Sequence, residues 1–298
     1  MKATSVRRIS SFILVLFMTS GFTTILCAQE EGATGKDNRP VKPLFESGYL
    51  IDNQTTRIYP SKTLEYVIHH RFGTTEKGMS DLYGVYSTSN VRMGLNYSIT
   101  DYLQVGIGTT RNKKYQDVQW KVKLLDQTRS NSIPVKVVYY GNVALDARDK
   151  EIFGKDYKFV HRVSYFNELM IGRRITDNLS VQASVNFTHY NMVDSLLEHD
   201  KIGVSLSGRY RFSPQSAIIA HYNMPLHIES MQEYKELTNK PMPNLAFGWE
   251  ICTSTHAFQI FLASANGILP QDNYGFNQLD FSKSKWLLGF NITRLWNF

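Results

Sequence analysis

Apolar residues recur at every second position over long stretches of this chain, and from residue 62 onward the 3.6-residue spacing of an amphipathic helix is missing. Val91, Met93, Leu95, Tyr97 and Ile99 alternate with Arg92, Gly94, Asn96 and Ser98. Leu179, Val181, Ala183, Val185 and Phe187 alternate in the same way with Ser180, Gln182, Ser184 and Asn186. The final stretch repeats the pattern, with Trp286, Leu288, Phe290, Ile292, Trp296 and Phe298 on one face. Each reads as a β-strand with one apolar and one polar face. The segments run to about ten residues, the length of a tilted strand that crosses a bilayer, and aromatics gather near their ends, as interfacial girdles require.

The connections alternate as well. Ile99-Thr100-Asp101-Tyr102-Leu103 and Ile175-Thr176-Asp177-Asn178-Leu179 are near-copies of one tight turn, and 212–215 and 253–255 fill the same role. Long polar connections fall between them, around 73–88, 111–116, 146–156, 191–200, 224–242 and 264–283. A barrel with one end in the periplasm and one outside has this asymmetry; a soluble sandwich has no need of it. The pattern predicts an all-β fold, a closed antiparallel transmembrane barrel of about twelve strands. The first strand spans 62–72, the longest 157–175 and the last 285–298. An even count puts both ends of the barrel on the short-turn side and lets the first strand pair with the last, leaving no edge in lipid.

The segment before the barrel is of a different kind. Lys2, Arg7 and Arg8 followed by the apolar run Phe12–Phe17 read as a signal peptide, residues 1–28, cleaved after Ala28. Cys27 follows Leu26 rather than a small residue, which disfavours acylation. Residues 29–61 are polar and turn-rich and read as a periplasmic N-terminal segment, with a short strand or lumen-inserting stretch near Tyr49–Ile51; the barrel domain is 62–298. Removing residues 1–28 takes away three basic residues and no acidic one, so the net charge falls from +7 to +4 and a nucleic-acid partner loses its motivation. Cys252 is then the one cysteine left, so no internal disulfide holds the fold.

Strand parity assigns faces to the charges. Arg71, Arg92, Lys121, Lys123, Lys136, Arg162, Arg174, Arg209 and Arg211 are expected to line the lumen with Glu65, Asp117, Glu168 and Glu250. That excess of cations favours anionic solutes, because a narrow low-dielectric channel focuses the field of its lining. The same parity turns Gly94, Gly106, Gly108, Gly203 and Gly289 inward, where they leave space for bulkier neighbours. His69 and His70 are adjacent on a strand and so point to opposite faces, unable to share a metal. No cofactor, metal or catalytic signature emerges. His189, His199 and Asp200 beside one long loop, and His221 and His227 beside another, with Ser195 and Ser230 nearby, give a lipid-modifying enzyme its slender motivation. Arg294 is the charge on the outward face of the last strand, four residues from the end, where it reaches headgroups.

His70-Arg71-Phe72-Gly73, the run VRMGLNYSITDYLQVGIG from Val91 to Gly108, Gly208-Arg209-Tyr210, His256-Ala257-Phe258-Gln259 and Gly289-Phe290-Asn291-Ile292-Thr293-Arg294 together resemble a membrane-bound β-barrel domain family of unknown function, widespread in Bacteroidetes. The resemblance runs from about residue 45 to the end; it implies a barrel in the outer membrane and supplies no activity or site residues. The functional expectation is a passive channel or uptake component for small, anionic solutes. The alternative is a filled structural or partner-binding barrel working through its long loops. Outer-membrane lipid is the expected surrounding, and the barrel-assembly machinery, acting through the strand that ends on Phe298, is the expected partner.

Overall fold

The computed structural model describes residues 36–298 apart from 232, 235, 238 and 284. The expected signal peptide and Cys27 lie outside the described residues. Twelve antiparallel strands, β3 to β14 in chain order, form a closed barrel in which each strand pairs with its sequence neighbours. They are β3 (Thr63–Thr74), β4 (Asn90–Thr100), β5 (Leu103–Thr110), β6 (Gln116–Leu125), β7 (Lys136–Leu145) and β8 (Val163–Arg174). The remainder are β9 (Leu179–Tyr190), β10 (Asp200–Arg211), β11 (Ser216–Pro225), β12 (Asn244–Cys252), β13 (His256–Ala263) and β14 (Leu287–Asn297). Closure is made by β14 on β3, with Asn297 opposite Thr63 and Gly289 opposite Arg71. Phe298 extends it, its N–H donating to the Lys62 carbonyl.

The polarity of the alternation settles what the barrel excludes. Along β4 the outward residues Met93, Leu95, Tyr97 and Ile99 are all exposed, while Arg92, Asn96 and Ser98 are buried inward. The same inversion holds on β9, β10 and β12, where Val185, Leu206 and Trp249 face out and Gln182, Ser207 and Glu250 face in. A barrel apolar outside and polar inside suits hydrocarbon, because the ladder satisfies every wall N–H and C=O internally. His69 is buried in the lumen, and His70 stacks on Phe290 at 4.8 Å on the other face.

Short turns gather at one end and long connections at the other. The exception is 126–135, between β6 and β7, which is long yet lies at the short-turn end. It is occupied: Pro40 bridges to Thr128, and Val41 N–H donates to the Gln127 carbonyl. This is where the segment preceding the barrel docks. The segment expected to be periplasmic, with a short strand or lumen-inserting stretch near Tyr49–Ile51, enters the barrel at that stretch. Residues 44–59 form a hairpin of two short strands, β1 (Tyr49–Leu50) and β2 (Asn53–Gln54), whose tip is Ile51-Asp52. Leu44, Phe45, Leu50, Ile51, Thr55 and Tyr59 are all buried. The chain leaves by the mouth it entered, since Ser61 N–H donates to Asp101 in the β4–β5 turn, just before β3 begins.

Candidate functional site

The interior of the barrel is the site, and the hairpin is gripped there by side chains from the whole circumference. Gln259 of β13 donates to the Tyr49 carbonyl at 2.8 Å and accepts Ile51 N–H at 3.1 Å. Gln182 of β9 does the same for Gln54 O and Thr56 N, both at 2.9 Å. Asn53 exchanges bonds with Asn223 at 2.8 and 2.7 Å and donates to Ser207 at 3.1 Å. Lys121 reaches the Gly48 and Thr55 carbonyls at 2.7 and 3.2 Å. Long amides at inward positions thus replace the ladder partners that so short a hairpin lacks.

Asp52, at the tip, is the centre of charge. Arg71 Nε and Nη2 donate to its Oδ1 at 3.0 and 2.6 Å, with both side chains wholly buried. Asn244 donates to Oδ2 at 2.9 Å, and His221 Nε2 lies 3.6 Å away. Ile51 beside it has a positive φ of 57°, a left-handed conformation that costs a β-branched residue about 1–2 kcal/mol. The wall holds it there, with Ile51 O accepting from Arg71 at 3.2 Å and Asn291 at 2.9 Å. Strain of this kind persists only where surroundings over-determine it.

The expected lumen-lining charges sort into groups. Arg71, Arg92, Lys121, Arg209, Glu168 and Glu250 are buried in the lumen. Arg92 pairs with Asp117 at 2.6 Å and Arg209 with Glu250 at 2.5 Å, both from wall to wall. Ser184 donates to Glu168 at 2.5 Å. Arg71, Arg92, Lys121 and Arg209 meet Glu65, Asp117, Glu168 and Glu250 from the wall and Asp52 from the hairpin, so the mid-lumen has no surplus of cations. The surplus sits at the mouths. Lys123 and Lys136 share Asp126 at 2.7 and 2.9 Å in the β6–β7 connection. Arg174 donates to the Pro43 carbonyl at 3.0 Å, and Arg211 to the Asp177 carbonyl at 3.1 Å, at the same end. Arg162 is not a wall residue at all: the strand expected over 157–175 begins at Val163, and Arg162 closes a helical turn, Phe159–Arg162, in the long connection before it. Its guanidinium stacks on Phe153 at 4.7 Å and donates to the Asp146 carbonyl at 2.7 Å.

The inward glycines make room for these contacts. A Cβ at Gly108 would lie 2.2 Å from Arg92 Nη2, and one at Gly203 would lie 2.3 Å from the Tyr274 ring. Tyr274 belongs to a second insertion from the opposite end. The connection 264–286 folds a short helix, α1 (Pro270–Phe276), into the mouth, with proline at its first turn, where no N–H is missed. Gln271 donates to Asn142 at 2.8 Å, and Asn277 to the Ser264 carbonyl at 2.9 Å. Asp272 Oδ1 is a latch, accepting from Tyr190 at 2.7 Å and from Tyr115 and Lys113 at 3.1 Å each. Burial first, and then the charge of Asp272, push the Tyr115 phenol well above its ordinary range, so it stays a donor.

Above α1 opens a vestibule of about 500 Å³, its wall including Lys113, Arg148, Arg162, Phe153 and Phe276. Two of the suspected rim histidines each take a carboxylate partner. His189 pairs with Asp200 at 2.6 Å and turns its other nitrogen to Asn191 at 3.3 Å; His199 pairs with Glu233 at 2.9 Å. His221 is inside the lumen against Asp52, far from any rim role. Among the described residues, no three His, Cys, Asp or Glu side chains gather as metal ligands.

The model of a family described as "Membrane bound beta barrel domain (DUF5777)" matches residues 45–296. No curated protein matches the sequence. Among solved structures the barrel is similar to the COG4313 outer membrane channel from Pseudomonas putida F1, at TM-score 0.49 and 10% identity, covering 80% of this chain and 97% of that one. It is similar also to a NanC porin, at TM-score 0.47 and 8% identity over 78% and 98% of the two chains. For a KdgM porin the values are 0.44 and 7%, over 78% and 98%.

Proposed function

The chain belongs to the family of membrane-bound β-barrel domains, and on that premise we propose that it is an outer-membrane solute channel or uptake component held closed by its own N-terminal hairpin. One observation carries this reading. Residues 44–59 fill the lumen yet contribute no strand to the wall, and β14 on β3 closes the barrel without them. Withdrawing the hairpin leaves every ladder bond of the wall in place and vacates a polar interior. Twelve strands lie between barrels filled by their own side chains and wide aqueous porins, so the vacated lumen suits small solutes. An open passive pore is not the state described, because the hairpin and α1 close the lumen from opposite ends. The test is planar-bilayer recording of the full chain and of a variant lacking residues 38–60. The full chain should conduct rarely and the shortened one far more often, in the intervals when α1 leaves the other mouth.

A second reading has its own support: α1 closes the other mouth with a latch at Asp272, as a filled barrel acting through its long connections would. If the shortened chain folds to a heat-modifiable barrel and does not conduct, this second reading replaces the first.

A further inference from the structure

The vestibule over α1 has the size of a ligand pocket, about 500 Å³, and its cationic side chains keep donors to spare. Its two deep carboxylates are both already engaged. Asp272 Oδ1 already takes three donors, and Asp146 takes Arg148 through both carboxylate oxygens, at 2.9 and 2.6 Å. Its cationic donors are not fully used. Lys113 uses one of its three protons, on Asp272. Arg148 binds through Nε and Nη2, and Arg162 through Nε and Nη1. Among the described residues, Arg148 Nη1 and Arg162 Nη2 therefore have no acceptor. Asp194, the remaining carboxylate of the wall, is exposed at the rim, where solvent screens it.

The rest of the wall mixes apolar side chains with the uncharged polar groups of His161, Asn239 and Gln278. Phe276 lies 4.5 Å from Lys113 Nζ, and Phe153 lies under Arg162 at 4.7 Å. Ile152, Met192, Val193 and Leu197 supply its aliphatic part. Spare cationic donors beside aromatic and aliphatic walls select a ligand with an anionic head and a flat apolar body. The charge balance fixes the head as a monoanion. With exposed Asp194 screened, Lys113, Arg148 and Arg162 face Asp146 and Asp272, a net charge of +1 that one carboxylate cancels and a second would exceed.

We propose that this vestibule is a binding site for a small aryl or alkyl monocarboxylate, whose carboxylate is taken by Lys113 and the free guanidinium edges of Arg148 and Arg162. The occupant competes with Asp272 for Lys113, which loosens the latch on α1. This deepens the uptake reading by naming its solute class, and only the assignment of the ligand as cargo rests on that reading.

The test is equilibrium dialysis of radiolabelled phenylacetate against the full chain in lipid nanodiscs, with empty nanodiscs as the blank. Saturable binding is expected, displaced by unlabelled phenylacetate and hexanoate but not by benzyl alcohol or benzylamine. Lys113→Gln should weaken binding at least tenfold, and Lys113→Arg should restore most of it. Met192→Trp, which narrows the cavity and touches no charge, should abolish it while leaving the heat-modifiable barrel intact. Absence of saturable binding overturns the proposal, as does equal displacement by benzyl alcohol, or a Lys113→Gln chain that binds as the native one does. Conductance of the chain lacking residues 38–60 is measured separately. Conductance without phenylacetate binding sinks this proposal and leaves the channel reading standing; binding without conductance does the reverse.

Discussion

Asp52→Asn is the sharpest perturbation the structure offers. The substitution keeps the shape of the hairpin tip and one oxygen for Arg71, and it removes the charge. Arg71 then remains wholly buried, with the Ile51 and His70 carbonyls and Asn291 as its other acceptors. Removing one partner of a buried ion pair costs about 3–5 kcal/mol, and the retained oxygen argues for the lower end. The cost falls on the seated hairpin rather than on the wall, because Asp52 is the one partner of this pair that can leave. At 1.4 kcal/mol per tenfold change, about 3 kcal/mol raises the ratio of open to closed channels by roughly a hundredfold. Single-channel recording in planar bilayers measures that ratio. Asp117→Asn is the contrast, since its pair with Arg92 joins wall to wall; it should lower the unfolding temperature in lipid without raising opening. Arg71→Gln combined with Asp52→Asn should recover part of the loss, because no uncompensated charge remains. The reasoning is refuted if Asp52→Asn opens no more often than the native chain, or if Asp117→Asn opens equally often.

Three further outcomes follow from other contacts. Gly203→Val should drive Tyr274, and α1 with it, out of the mouth, since its Cβ alone would fall 2.3 Å from the ring. An overpacking cost of about 1–3 kcal/mol should appear as cleavage of 264–283 by added protease that is ten times faster or more. Asp126 is pushed up by burial but held below its ordinary value by Lys136 and Lys123, so its stabilisation is full above the unfolded value of about 4 and is lost as pH falls through its folded pKa. Asp126→Asn should therefore lower the unfolding free energy, measured by urea titration, by about 1 kcal/mol at pH 7 and by nothing measurable near pH 2. In the chain lacking residues 38–60, anion preference should come from the mouth, so Arg174→Gln with Arg211→Gln should reduce the reversal-potential shift in a salt gradient.

The wall was legible because it obeys one rule: a bilayer outside and polar contents inside force period two on every strand, so Val91 to Ile99 or Leu179 to Phe187 suffices to place a face. The hairpin obeys no such rule. Its two strands are two residues each, too short for any period, and its order comes from distant Gln182, Gln259 and Asn291. A trace of it was nonetheless present in the wall. Val138, Phe166, Met170, Ile219 and Phe261 occupy inward positions that water would not favour, and they pack with Leu44, Phe45, Ile51 or Ile58 and with Tyr274. Apolar residues on the polar parity of a barrel strand signal an occupant. The charges misled because parity gives a face and not a depth: Lys123, Lys136, Arg174 and Arg211 sit at a mouth and Arg162 lies off the wall, which leaves four mid-lumen cations against four wall acids and Asp52. Arg162 misled because 157–162 has the composition of a strand end but folds as a helical turn capping Arg162 over Phe153.

The hairpin enters and leaves by one mouth, and that geometry makes it a tethered ligand. Nothing needs to thread, so it can seat after the wall has closed. Its leash to β3 is a few residues, and a short leash keeps a released segment at an effective concentration of about millimolar. A free peptide of residues 38–60 would need roughly that concentration to silence the shortened barrel, while the attached copy does so at any dilution. Closure is then independent of how much protein the membrane holds, and whatever opens the lumen must outcompete a neighbour that never diffuses away.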